Sequence, residues 1–291
     1  MQPLNSLPKY NLFGVEEIGY KKARVVVLPI PYDSTVTYRS GTREGPRAII
    51  EASRNMEWYS YELGEDISKV GVYTMDEMAP DLSSPRNMVR QIAKEVELII
   101  KAGKLPLILG GEHTLTIGAA EALASIGKKI SFIQFDAHSD TRDEMFGTKY
   151  MHATAMARTR ELCKNVVSIG IRSMESDTNG GKNHTTYLMS DVHAKGIEKI
   201  AKEVAKITTD EIYITIDLDV LDPSEMPSVG TPEPDGMRFK DIVRFMELLS
   251  KEKRLVGFDL VELCPIPGMN APNYLAAKLA YLTIGHFLLK K

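Results

Sequence analysis

The chain has 291 residues, 43% hydrophobic and 26% charged, with a formal net charge of −3. That is ordinary globular composition, and without a Lys/Arg block it argues against nucleic acid as a partner. No apolar run reaches the roughly 18 residues a membrane-spanning helix needs, Met1 to Asn5 lack the basic-then-apolar order of a signal peptide, and two distant cysteines, Cys163 and Cys264, fit a reducing cytoplasm.

Residues 1–22 read as an irregular lead-in. Arg24 to Pro29 is a short β-branched run stopped by prolines at 29 and 31, which predicts a first strand. The loop Ser40-Gly41-Thr42-Arg43-Glu44-Gly45 follows, and Pro46 suits the first turn of a helix through Ala48, Ile49 and Ile50. Arg39 and Arg43 on this loop are expected as solvated surface charges. A weaker strand covers Val70 to Thr74. Met88, Ile92, Val96 and Ile99 recur at helical spacing, and Gly103 is placed to end that helix. Leu105 to Leu109 predicts a buried strand running into Gly110-Gly111-Glu112-His113. An alanine-rich helix over 114–126 follows, with Thr114 as its expected cap. Ile130 to Phe135 is the next strand and leads into Asp136-Ala137-His138-Ser139-Asp140.

Residues 141–153 are polar, Val166 to Ile171 is a strand, and 173–186 reads as a polar loop. Ile197, Ile200, Val204 and Ile207 mark a helix, Ile212 to Asp217 a strand, and residues 222–236 a proline-rich loop. Ile242, Phe245 and Leu249 mark a helix, Leu255 to Glu262 the last strand, and Pro272 opens a C-terminal helix reaching about Leu289. Alternating strands and helices predict an α/β fold with a mostly parallel sheet. Without a linker or repeat, residues 1–291 read as a single domain.

Four of these strands end in polar chemistry: at His113, at Asp136-x-His138-x-Asp140, at Asp217-x-Asp219 and at Glu262. Side chains alternate along a strand, so Asp136, His138 and Asp140 can point one way. Ligands of open parallel sheets bind beyond the carboxyl ends of strands, so these residues can meet on one rim. Buried carboxylates are costly without a positive partner. Four Asp and two His are too many for one zinc site with an open position and suit two ions sharing carboxylates. The mixed oxygen and imidazole set favours manganese, with other first-row divalent metals as substitutes. Such a site generates a nucleophile from water at neutral pH, so hydrolysis is the expected reaction class.

The same motifs carry a resemblance. Gly110-Gly111-Glu112-His113, Asp136 to Asp140, His152, Thr215 to Pro223, Pro227 to Pro232, Asp259 to Glu262 and the Gly41 to Pro46 loop are similar, in order and spacing, to the ureohydrolase family of arginases and agmatinases. The resemblance covers about residues 24–285. It implies a three-layer α/β/α fold, two Mn2+ per chain and a homotrimer or homohexamer. One ion would be held by His113, Asp136, Asp140 and Asp217. The other would be held by His138, Asp136, Asp217 and Asp219. Glu262 would pair with the substrate guanidinium, Asp140 would handle a proton, and His152 would contact substrate and relay protons.

The arginase pattern places an Asn where Arg142 stands and Ser-Gly-Asn where residues 149–151 read Lys-Tyr-Met. The amino-acid clamp is therefore missing, and agmatine becomes the expected substrate, cleaved to urea and putrescine in polyamine synthesis. Glu175 and Asp177 are candidates to meet its distal cation. Aminopropylagmatine, guanidinobutyrate, arginine and formiminoglutamate are the alternatives within the family, and a silent metal-binding homologue the alternative outside it. His184, His193, His286 and Trp58 match no motif and are expected to be packing or surface residues.

Overall fold

A computed structural model describes residues 7–16, 18–175 and 181–289. The lead-in is tied down where it is described. Leu12, Phe13 and Val15 are buried, the Phe13 amide donates to Ser53 Oγ at 2.8 Å, and the Phe13 ring stands edge-on to Tyr281.

From there β1 (Val25–Ile30) leads to α1 (Gly45–Ser53), with Pro46 in its first turn. A small antiparallel pair, β2 (Tyr59–Ser60) and β3 (Glu65–Asp66), precedes β4 (Val72–Thr74). The predicted amphipathic helix is α2 (Pro85–Lys101). The Ser84 side chain caps it by accepting from the Asn87 amide, and Gly103 leaves it with φ of 72°. Next come β5 (Leu105–Gly110), α3 (Leu115–Ser125), β6 (Ser131–Phe135), α4 (Ala155–Leu162) and β7 (Asn165–Ile171). Then β8 (His184–Leu188), α5 (Met189–Lys195), α6 (Ile197–Ile207) and β9 (Glu211–Asp217) follow, before α7 (Phe239–Leu249), β10 (Arg254–Val261) and α8 (Ala271–Leu288).

Two expectations are corrected. The stretch 173–186 is not loop throughout: β8 begins at His184. It is an edge strand whose first three residues are His-Thr-Thr, so it lacks the apolar run that marks a buried strand. Thr114 does not cap α3, because its hydroxyl is turned onto the Glu112 carboxylate.

Eight strands form one sheet in the order β4-β1-β5-β10-β9-β6-β7-β8, and every pairing in it is parallel. Helices cover both faces, which is why the strands read as unbroken apolar runs. Val25, Val27, Ile133 and Ile214 pack with α1, α6, α7 and α8. Val26, Leu28, Phe132 and Tyr213 pack with α2 and α3 on the other side. The result is the three-layer α/β/α arrangement expected from the sequence.

Candidate active site

The strands carrying the polar motifs are neighbours. Across the sheet they run β5, β10, β9, β6, so the residues after their carboxyl ends meet on one rim: His113, Glu262, Asp217 with Asp219, and Asp136 to Asp140. Here the chain changes direction, since β1 and β4 lie beyond β5 while β7 and β8 lie beyond β6, the place where open α/β sheets form a crevice. The backbone is shaped to the site. Asp140 and Glu262 have φ of 51° and 65°, a conformation that non-glycine residues hold only where surrounding structure enforces it. Gly111 is required, because a Cβ there would lie 2.0 Å from the Tyr32 carbonyl oxygen.

All six sequence-predicted ligands converge. His113 Nδ1 lies 3.1 Å from Asp136 Oδ2, 3.0 Å from Asp140 Oδ2 and 3.3 Å from Asp217 Oδ2. His138 Nδ1 lies 2.8 Å from Asp219 Oδ2 and 3.6 Å from Asp136 Oδ1. Two groups have ligand atoms within 4.8 Å of one another: His113, Asp136 and Asp140, and Asp136, His138 and Asp219. Asp136 belongs to both. His113 Nδ1 is buried without a hydrogen-bond partner although three carboxylates face it. A ring nitrogen aimed at converging carboxylate oxygens is the arrangement a divalent cation holds together, so the residues fit a metal.

The electrostatics agree. Burial pushes Asp140 up to about 6, with Asp136 adding to it. Burial and the neighbouring Asp219 and Asp136 carry Asp217 well above the carboxylate range. Burial opposes charge on His138, yet Asp219 and Asp136 raise it to about 12. The rim thus retains protons, and divalent ions supply the same positive charge without them.

Glu262 accepts from the His113 amide at 2.7 Å through Oε1. Burial and then Glu112 push its pKa well up, so an arriving cation gains by restoring its charge. Glu112 is fully buried, accepts from the Thr35 amide at 2.7 Å and from the Thr35 and Thr114 hydroxyls, and is pushed by burial to about 7. It thereby anchors the 33–41 loop over the site. His152 enters from that side. Its amide donates to Thr35 Oγ1 at 3.3 Å and its Nε2 is 3.3 Å from Thr37 Oγ1. Burial, then the positive charge at His113, lowers its pKa to about 4, so the ring is neutral at pH 7.

Beneath this cluster lies a row to which the sequence reading gave no role. Ser168, Gln134, Thr215 and Asp259 are register partners across β7, β6, β9 and β10, all buried. Gln134 Nε2 donates to Asp136 Oδ2 at 2.7 Å, and Gln134 Oε1 accepts from Ser168, whose hydroxyl also meets His184 Nε2 at 2.7 Å. His184 is therefore a packed, hydrogen-bonded histidine, whereas His193 is an exposed partner of Asp235. Burial pushes the Asp259 pKa up, against three hydroxyl donors. Gln134 and Thr215 each stand two positions before a carboxylate of the cluster, Asp136 and Asp217, so the period-2 alternation that revealed those two also carries this signal.

A cavity of about 240 Å³ opens above the cluster, lined among others by Tyr38, Arg39, Arg142, Met145, His152 and Glu175. Arg39 is therefore part of the cavity wall, and Arg43 pairs with the buried Asp33, so neither is a mere surface charge. Glu175 sits at the rim with an oxygen 2.6 Å from Arg142 Nη1. Asp177 lies outside the described residues. Among the described residues no helix is long and apolar enough to cross a membrane, and both cysteines are free.

A carboxylate and imidazole cluster on the rim of a parallel sheet, under a closed loop and beside a buried glutamate, defines a metal-dependent hydrolase class. The chain belongs to the arginase family, whose profile matches residues 23–285, and is a hydrolase of guanidino C–N bonds. The N(1)-aminopropylagmatine ureohydrolase of Synechocystis sp. is 35% identical over 289 residues, spanning 96% of this chain and 94% of that one. The agmatinase of Pyrococcus horikoshii is 31% identical over 288 residues, spanning 95% and 97%. The crystal structure of the agmatine ureohydrolase of Thermoplasma volcanium matches with a TM-score of 0.88 at 35% identity, covering 98% of this chain and 95% of that one.

Proposed function

We propose that this chain hydrolyses the guanidino group of N1-aminopropylagmatine to urea and an amine, with two divalent ions, manganese by preference, held by His113, Asp136, His138, Asp140, Asp217 and Asp219. The observation that carries the substrate is that four aminopropylagmatine ureohydrolases are 34–35% identical along at least 91% of this chain, against 30–31% for three agmatinases. This replaces the agmatine expected from the sequence. Agmatine remains the second reading, favoured by the Thermoplasma volcanium structure. Both substrates end in a cation rather than an amino-acid group. Arg142, where arginases carry an Asn, supports that choice, and so does the Glu175 carboxylate on the rim.

Bound ions would lower the pKa of water toward neutrality and so supply the nucleophile. The chain's own groups do the rest. Glu262, fixed by the His113 amide, holds the guanidinium by charge-assisted hydrogen bonds. Asp140 accepts a proton from the attacking water as its oxygen bonds the guanidinium carbon. His152, neutral at rest and oriented by Thr37, takes up a proton from solvent and hands it to the departing nitrogen as the C–N bond breaks, returning to its neutral form. We read the whole chain as one catalytic domain, assembling as a trimer or hexamer in the cytoplasm.

The test is urea release by Mn2+-loaded protein from aminopropylagmatine, agmatine, guanidinobutyrate and arginine, and formamide release from formiminoglutamate. The expected order places aminopropylagmatine first in kcat/KM and agmatine second. Arginine or an acidic guanidino compound in first place would overturn the reading. No turnover of any of them by protein with full metal occupancy would favour the silent homologue.

A further inference from the structure

The mechanism above leaves Asp259 unused, although it is fully buried at the centre of the sheet. Its Oδ1 accepts from the Thr215 hydroxyl at 2.5 Å, and its Oδ2 accepts from Tyr213 Oη at 3.0 Å and Thr116 Oγ1 at 3.0 Å. No Lys or Arg is paired with it among the described residues. The chain of contacts continues in the other direction: Thr215 Oγ1 lies 2.9 Å from His113 Nε2. A threonine hydroxyl has one proton. Here that proton is committed to a carboxylate surrounded by donors, so the Thr215 oxygen is left as an acceptor. His113 must then carry its proton on Nε2. That leaves the lone pair on Nδ1, the atom facing Asp136, Asp140 and Asp217.

We propose that Asp259 and Thr215 are positioning residues of the metal site, fixing the tautomer and ring plane of His113 so that Nδ1 is always the ligand atom. The inference rests on the reading of His113 as a metal ligand. It explains why two buried, mainly apolar strands carry Thr215 and Asp259 in direct register. A row of buried polar groups is unfavourable unless each finds a partner. This row ends on a ligand ring rather than on a backbone group, so its satisfaction is coupled to the site.

A purely structural tie between β9, β10 and α3 is the competing account, and the two separate by measurement. Full-length protein is stripped with a chelator and titrated with Mn2+ by equilibrium dialysis and calorimetry. Thr215→Val keeps the shape and removes the hydroxyl. Asp259→Asn keeps the shape and weakens acceptance. Both should bind the His113-side ion about 10–100-fold more weakly, the range seen when outer-shell partners of metal ligands are removed. Thr215→Ser should restore binding to near the wild-type value. The melting temperature of stripped Thr215→Val should stay close to that of stripped wild type. Mn2+ affinity within threefold of wild type in Thr215→Val would overturn the proposal, and if Asp259→Asn does not fold, the Val and Ser variants still decide it. Wild-type protein that binds no Mn2+ would remove the metal reading itself.

Discussion

Glu262 offers a sharp test, because its environment dictates how an amide would sit in its place. The His113 amide donates to Oε1 at 2.7 Å. In Glu262→Gln the side-chain oxygen must keep that position, since an NH2 there would face an N–H. The NH2 is therefore turned into the cavity, where the substrate guanidinium presents only donors. Two losses follow. A charge-assisted hydrogen bond worth about 1.5–3 kcal/mol disappears. A desolvated donor facing a donor costs about 1–3 kcal/mol more. Together they predict a loss of about 2.5–6 kcal/mol, which at roughly 1.4 kcal/mol per factor of ten lowers kcat/KM by about 10² to 10⁴.

The assay is urea release under conditions where kcat/KM is resolved, with metal content measured on the same preparation. Glu262 is not among the four aspartates that crowd the two imidazoles, so the variant should keep the wild-type number of ions. Activity within tenfold of wild type would refute the role given to Glu262. Loss of metal together with activity would instead show that Glu262 belongs to the metal cluster.

Three other outcomes are expected. Asp136→Asn should fall below one ion per chain by elemental analysis, because Asp136 faces both His113 and His138; two retained ions would refute a shared carboxylate. Glu175→Gln should lower kcat/KM for aminopropylagmatine by about two- to fivefold, the size of an exposed ion pair, and leave guanidinobutyrate unchanged; an equal loss on both would deny Glu175 a part in reading the distal cation. The third concerns acid stability. Burial lowers the His184 pKa from 6.5 to about 4, so the folded state binds fewer protons than the unfolded one between those values. Its contribution is present above pH 6.5 and is lost as pH falls toward 4, by at most about 3 kcal/mol. Urea unfolding of His184→Gln at pH 7 and pH 4.5 should show a smaller acid loss than wild type, and an unchanged loss would refute the assignment.

The carboxylate and imidazole cluster was legible in the sequence for a physical reason. Asp136, His138 and Asp140 follow a strand, and so do Asp217 and Asp219, so a period of two places each set on one side. The rule that ligands sit at strand ends then brings the sets together, and the order β5-β10-β9-β6 makes them neighbours. The cavity rim obeys no such rule. Tyr38 and Arg39, Arg142 and Met145, and Glu175 come from three separate loops, and no spacing within one loop announces the others. This is why Arg39 and Arg43 read as surface charges, and why Arg142 and the Lys-Tyr-Met before His152 indicated only that the amino-acid clamp is missing. The edge strand β8 escaped for a related reason, because His184, Thr185 and Thr186 need no apolar pattern where one side of the strand has no neighbour.

Between these extremes lies the row under the ligands. Gln134 was absorbed into an apolar strand run, while Thr215 and Asp259 stood inside quoted motifs and were given no role of their own. Their meaning depends on register, which only the folded sheet supplies: Gln134 opposite Thr215, and Thr215 opposite Asp259. Once the register is known, each polar residue has a partner in the next strand or in a ligand. An acidic residue inside an apolar strand, two positions ahead of nothing acidic, is then best read as serving a ligand on the adjacent strand. Asp259 precedes Val261, not a ligand, and its hydrogen bond runs sideways through Thr215 to His113. The same test applies to any parallel strand of this kind: a buried polar residue one pleat below the rim points along its own strand or across to the next, and register decides which.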